Sequence, residues 1–280
     1  VFSNQTFISN ITNSSLKING SSNTAYGIST ASSTINISVT NGSLDINGES
    51  TSSYGTYLSG TIINANIAAG ATFDITGNTS KSFGILYSSS TLNVSGNGTV
   101  NVNGNHTGNS SVIDNISHYG IYFNGISNIN VSGGSVTLKG SPLNASGISV
   151  LGTMNVAVSG GSLAINGSSL YSSALVMSGT LNADVSGGNL TLNAYTVSGN
   201  GLNLTGSFNL NQTAGNVSID STVVNSNGIG LYLSGSITAN IANNLSLNIT
   251  VNSNASTALN MLSGKINLNN FNGSTNGSLN

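Results

Sequence analysis

Two adjacent stretches decide how this chain folds: TMNVAVSGGSLAINGSSLYSSALVMSG, from Thr153 to Gly179, and TLNADVSGGNLTLNAYTVSGNGLNLTG, from Thr180 to Gly206. Their apolar residues fall in the same columns. Self-similarity at a fixed period is the signature of a stacked repeat. Working outward, equivalent starts are placed at Thr6, Thr34, Thr61, Thr91, Ser127, Thr153, Thr180, Ser207, Ser236 and Lys265. Ten starts occupy the whole chain, so residues 1–280 are read as a single domain.

Within each unit the apolar residues alternate, as in Leu163 and Ile165 or Leu190 and Leu192. The same middle segment is read at Leu16 and Ile18, Leu44 and Ile46, Phe73 and Ile75, Val217 and Ile219, and Leu245 and Leu247. A period of two places one face of a strand in a core. A shorter strand precedes it, as in Met154, Val156 and Val158, and a third follows, as in Leu202 and Leu204. Gly, Asn and Ser cluster at the junctions, where tight corners need positive φ or side-chain bonds to the backbone. Three short strands per unit and no helical period predict an all-β, parallel β-helix of about ten coils, roughly 27–30 residues each. An antiparallel sandwich also has short strands, but it does not require one column pattern in every unit. Parallel crossovers make the expected coil right-handed. Strands about 4.8 Å apart give a rod of about 45–50 Å.

The pattern T-φ-N-x-x-V-S-G-G-x-L-x-I-N-G, from Thr153 to Gly167 with its relatives, resembles secreted repeat adhesins. These include filamentous-haemagglutinin and autotransporter passengers and the adhesin-like surface proteins of archaea. The resemblance implies an extracellular or cell-surface location.

Composition narrows the function. Of 280 residues only 10 are charged, four Lys and six Asp or Glu, and Arg, Cys and Trp are absent. A formal charge of −2 without a basic tract offers no surface for phosphates, so nucleic acid is not an expected partner. No apolar run approaches the roughly 18–20 residues that span a bilayer. Without Cys there is no disulfide framework, and no structural zinc site or other cofactor is expected. With 37% hydrophobic residues and little net charge, the chain also lacks the signature of disorder.

Three groups are candidates for chemistry. Lys17, Asp45 and Asp74 share one outward column of the middle strand. Stacked coils would hold the two carboxylates about 5 Å apart, the separation found in retaining glycosidases. This is the enzymatic alternative, a carbohydrate-active β-helix. Against it, Lys17 and Asp45 would form an exposed ion pair with Asp74 their solvated neighbour, the next column positions, Asn101, Thr137, Ala164 and Thr191, suggest no groove, and Arg is absent, so the chain is read as non-enzymatic. The longer unit after Thr91 inserts a loop around 103–119 that carries His106, Asp114 and His118. Spacings of eight and four residues match no compact metal motif, so an exposed loop with incidental histidines and no metal is expected. Tyr26, Tyr54, Phe83 and Tyr119 each precede a Gly at the opening of the third strand. Inward, they form a core ladder, the expected arrangement; outward, they would stack on sugars of a surface glycan.

Asn-x-Ser/Thr acceptors number 24, where 47 Asn and 78 Ser plus Thr placed at random predict about 13 (47 × 78/280). Asn36, Asn41, Asn97, Asn105, Asn109, Asn166, Asn211 and Asn272 are the named candidates for N-glycosylation. Alternation alone, with polar residues at i and i+2, inflates this count.

Neither end reads as a cap. Thr6 begins a unit at once, and residues 265–280 read as an unfinished coil whose open edge invites another strand. The expectation is a self-assembling homopolymer: a structural subunit of a filament, sheath or adhesin.

Overall fold

The computed structural model describes residues 2–108, 118–225, 228–242, 245–254 and 257–270. They form a parallel β-solenoid of about nine turns. Each turn carries a first, second and third strand, exemplified by Thr153–Val158, Ser162–Ser169 and Leu175–Met177. Third strands stack into a parallel sheet of ten; first and second strands join in a sheet of seventeen. The two rows merge because the opening coils run both strands as single 17-residue strands, Thr6–Ser22 and Thr34–Ser50.

The corner between first and second strands explains the Ser-Gly-Gly motif. Gly134, Gly161, Gly188 and Gly215 have φ of 70°, 69°, 72° and 76°, a region that side chains with a Cβ avoid. The turn repeats because each corner bonds to the one before. Ser162 donates its backbone N–H to Gly134 at 2.9 Å, and Asn189 donates to Gly161 at 3.0 Å.

Inside, the aliphatic columns run along the axis as expected. Leu163, Leu190 and Val217 are consecutive partners, each 1% exposed. Ile148, Leu175, Leu202 and Leu231 line the third-strand side. Burying such side chains contributes about 1.5–3 kcal/mol each.

Register differs from the sequence reading in three places. Thr34 pairs with Ile62, not Thr61, so Ile63 and Ala65 face the core while Ile62 is 43% exposed. Adjacent apolar residues at 62 and 63 offer two alternations, and only packing selects one. Thr91 pairs with Asn128, not Ser127. In the eighth coil Val217 and Ile219 pair with Leu247 and Ile249, not Leu245 and Leu247. A slip of two residues keeps every side chain on its face, so alternation alone cannot detect it. The insertion is also narrower than 103–119: strand continues to His106 and resumes at Tyr119.

Candidate functional site: an asparagine-lined groove

Lys17, Asp45, Asp74 and Asn101 are successive partners in the second-strand row, as the repeat predicted. Asp45 and Asp74 are half-buried. Burial raises the Asp74 carboxyl above the ordinary carboxylate range. A hydrogen bond from Asn101 Nδ2, at 2.7 Å, opposes this, and the neighbouring Asp45 carboxylate reinforces it. The pair thus forms part of a polar ladder on the outside of the second strand.

His106 is not exposed. It is 2% accessible and stacks on His118 with ring centroids 4.8 Å apart and planes 10° from parallel. Its place in the register explains the burial. His106 is the partner of Thr79, in the inward column that closes the corner into the third strand. In several other coils that column carries a hydroxyl bonded to backbone: Thr79 donates to Ser53 O at 2.7 Å, Ser169 to Ala145 O at 2.7 Å, Thr196 to Ser172 O at 2.9 Å, whereas Val223 follows Thr196. Burial, then the nearby His118, push the His106 imidazole below its ordinary pKa. Among the described residues no three His, Cys, Asp or Glu approach closely enough to hold a metal, and Asp114 lies outside the described residues.

The aromatic ladder exists but lies on the surface. Tyr26, Tyr54, Phe83 and Tyr119 stack at 5.2, 5.2 and 5.5 Å. Tyr26 is 40% exposed and the others are half-buried. Tyr57 and Tyr122 lie against it, with centroids 4.9 Å from Tyr26 and 4.7 Å from Phe83. Burial raises the Tyr54 and Tyr122 hydroxyl pKa values, and adjacent tyrosines add to it. Because the interior rings spend both faces on each other, the ladder offers edges and hydroxyls rather than free faces for a sugar. The core has its own stack, Tyr87 on Phe123 at 5.0 Å.

The sequons divide by environment. Asn41 and Asn97 are exposed; Asn36, Asn105, Asn166 and Asn211 are half-buried; Asn109 and Asn272 lie outside the described residues. Asn105 and Asn211 donate their amides to Asn78 and Asp184, and Asn41 donates to Asn13. Asn36 and Asn166 accept from Asn64 and Asn193. The amides at these five positions are engaged in ladders.

These ladders reveal a feature that sequence reasoning missed. The outer face of the first strand carries Asn36, Asn64, Asn93 and Asn130 in one column, linked Nδ2 to Oδ1 at 2.8, 2.7 and 2.7 Å. Beside it Asn128, Asn155, Asn182 and Asn209 form a second, with three links of 2.9 Å. Two open troughs, about 460 and 510 Å³, flank the first of these columns: one lies between it and Ser38, Asn66, Ser95 and Ser132, the other between it and Asn155, Asn182 and Asn209. They meet at Asn130 and Ala157, so the two form one groove that crosses the column there. The visible signal was the Asn of T-φ-N, recurring at a fixed position of the repeat.

Such a fold defines a class, the parallel β-solenoid with axial polar ladders. Compared with known proteins, the chain matches no family model, no curated relative and no solved structure.

Proposed function

We propose that this chain is a non-enzymatic, structural element of an extracellular surface assembly: a segment of a filament, sheath or adhesin. The observation that carries the reading is axial uniformity. Aliphatic, amide and aromatic columns run from coil to coil, and every coil is bonded to its neighbours by parallel ladders. Such a rod resists extension because neighbouring repeats share a continuous interface. With a formal charge of −2, little electrostatic repulsion opposes association. The uncharged Asn, Ser and Thr surface and the resemblance to repeat adhesins support an extracellular setting.

Assembly follows from the same geometry. Among the described residues, Thr6–Ser22 pairs only with Thr34–Ser50, and Lys265–Asn270 only with Ser236–Ile241. A further coil, of this chain or of another copy, extends the sheets at either edge. Head-to-tail addition between copies is heterologous and grows an open filament unless its rotation closes a ring. Electron microscopy and sedimentation of the purified chain test the proposal. Polymers that shorten when residues 265–280 are deleted are the expected result. A chain that stays monomeric at high concentration overturns the self-assembling form of the reading.

A further inference from the structure

The amide ladder of the groove is interrupted midway along the solenoid. Its central column reads Asn36, Asn64, Asn93, Asn130, Ala157, Asp184, Asn211, Asn240 and Asn269 in successive coils. In each complete step the later amide donates to the earlier oxygen. At Ala157 no amide exists, so among the described residues Asn130 Oδ1 receives no ladder bond from the following coil. On the far side, Asp184 accepts from Asn211 at 3.2 Å and keeps further acceptor capacity. Asn130 and Asp184 are two coil steps apart, about 9.5 Å, with the Ala157 methyl between them. The flanking column is unbroken here, with Asn155 and Asn182 linked at 2.9 Å.

The chemistry of this gap selects a ligand. A ladder uses one N–H and one lone pair of each amide, leaving one of each for something else. The groove therefore offers donors and acceptors in alternation, every 4.8 Å or so. Sugar hydroxyls both donate and accept, and they recur along a chain. An extended peptide matches poorly, because strand addition needs an open sheet edge, whereas this is a sheet face whose backbone is already paired. Among the described residues no Lys lines the groove, and Asp184 would repel a uronate or sulfate while accepting strongly from hydroxyls. A methyl floor flanked by acceptors suits the C–H face of one sugar ring.

We propose that the first-strand groove binds a linear, neutral polysaccharide along the solenoid axis, with one sugar ring seated over Ala157 between Asn130 and Asp184. This site goes beyond the structural role and does not depend on filament formation.

Ala157→Asn is the direct test, since it extends the amide ladder into the gap and fills the seat while keeping the surface polar. The native chain and variants are run in affinity gels containing hydroxyethylcellulose, galactomannan or polygalacturonate, with melting temperature and sedimentation measured beside them. The native chain should be retarded by at least one neutral polymer and not by polygalacturonate. Ala157→Asn should weaken that retardation about tenfold or more at an unchanged melting temperature, the scale of losing a hydrogen-bonded subsite. Tyr26→Ser, on the aromatic ladder, should bind as the native chain does. Four results would each overturn the proposal: no retardation by either neutral polymer; retention of binding in Ala157→Asn; loss of binding in Tyr26→Ser instead; or loss of self-association in Ala157→Asn, which would make a second copy the occupant.

Discussion

Replacing Gly77 by Ala should damage this rod out of proportion to one methyl group. Gly77 belongs to a column in which Gly20, Gly48, Gly77, Gly104, Gly140 and Gly167 are successive partners. Here the second strand runs against the start of the third. A Cβ on Gly77 would lie 2.0 Å from the carbonyl oxygen of Gly84 and 2.7 Å from Ile85 Cγ1. Real Cβ atoms stay beyond 3.0 Å, so the two backbones must separate by at least about 1 Å (3.0 minus 2.0). That movement is resisted from both sides. Gly84 donates its N–H to Tyr119 O at 3.1 Å, and its carbonyl accepts from Thr56 N at 3.0 Å. Overpacking of this kind costs about 1–3 kcal/mol, here at the upper end because backbone and not a side chain must yield. The smaller conformational freedom of Ala in the unfolded chain returns about 0.4–1 kcal/mol. A net loss of about 2 kcal/mol corresponds to a fall of about 4–8 °C in melting temperature for a domain of roughly this size. Calorimetry would measure it. Ala194 is the internal control: it occupies the same column one coil beyond Gly167 and is buried at 3% exposure, so a methyl fits there. A Gly77→Ala chain melting within 1 °C of the parent would refute the reasoning.

Two further outcomes are expected. Tyr87 is 1% exposed and its hydroxyl has no hydrogen-bond partner among the described residues, so Tyr87→Phe should raise stability by about 1 kcal/mol; a lower melting temperature would show a partner for that hydroxyl. His106 has a pKa depressed below its unfolded value of 6.5, so the folded state favours the neutral ring. Its stabilising contribution is present above pH 6.5 and is lost as pH falls through the depressed folded value. His106→Thr, which supplies the hydroxyl that Thr79 has in the same column, should flatten the fall in melting temperature between pH 7.5 and 5; an unchanged pH profile would count against the buried imidazole as its source.

Much of this molecule was legible from the chain alone, for a physical reason. A solenoid repeats one local problem in every coil, so alternation, corner glycines and column identity recur in the sequence at nearly fixed spacing. Leu163, Leu190 and Val217 were assigned to one buried column from that recurrence, and so were Asp45 and Asp74 to one outward column. What remained was what a period of two cannot encode. Ile62 and Ile63 satisfy either alternation, and Leu245, Leu247 and Ile249 satisfy the pattern in two registers. Only pairing against the neighbouring coils chooses between them.

Surface exposure was likewise decided in three dimensions. The aromatic ladder was visible as a spacing, yet its place on the outer surface depends on where the third strand begins relative to the corner. The burial of His106 depends on its lying in register with Thr79. The groove depends on polar columns standing side by side across coils, and the break at Ala157 looks unremarkable until Asn130 and Asp184 are placed on either side of it. Sequence determines which residues recur; register between coils determines which of them meet, because backbone hydrogen bonds connect residues 27–37 positions apart that share no local signal.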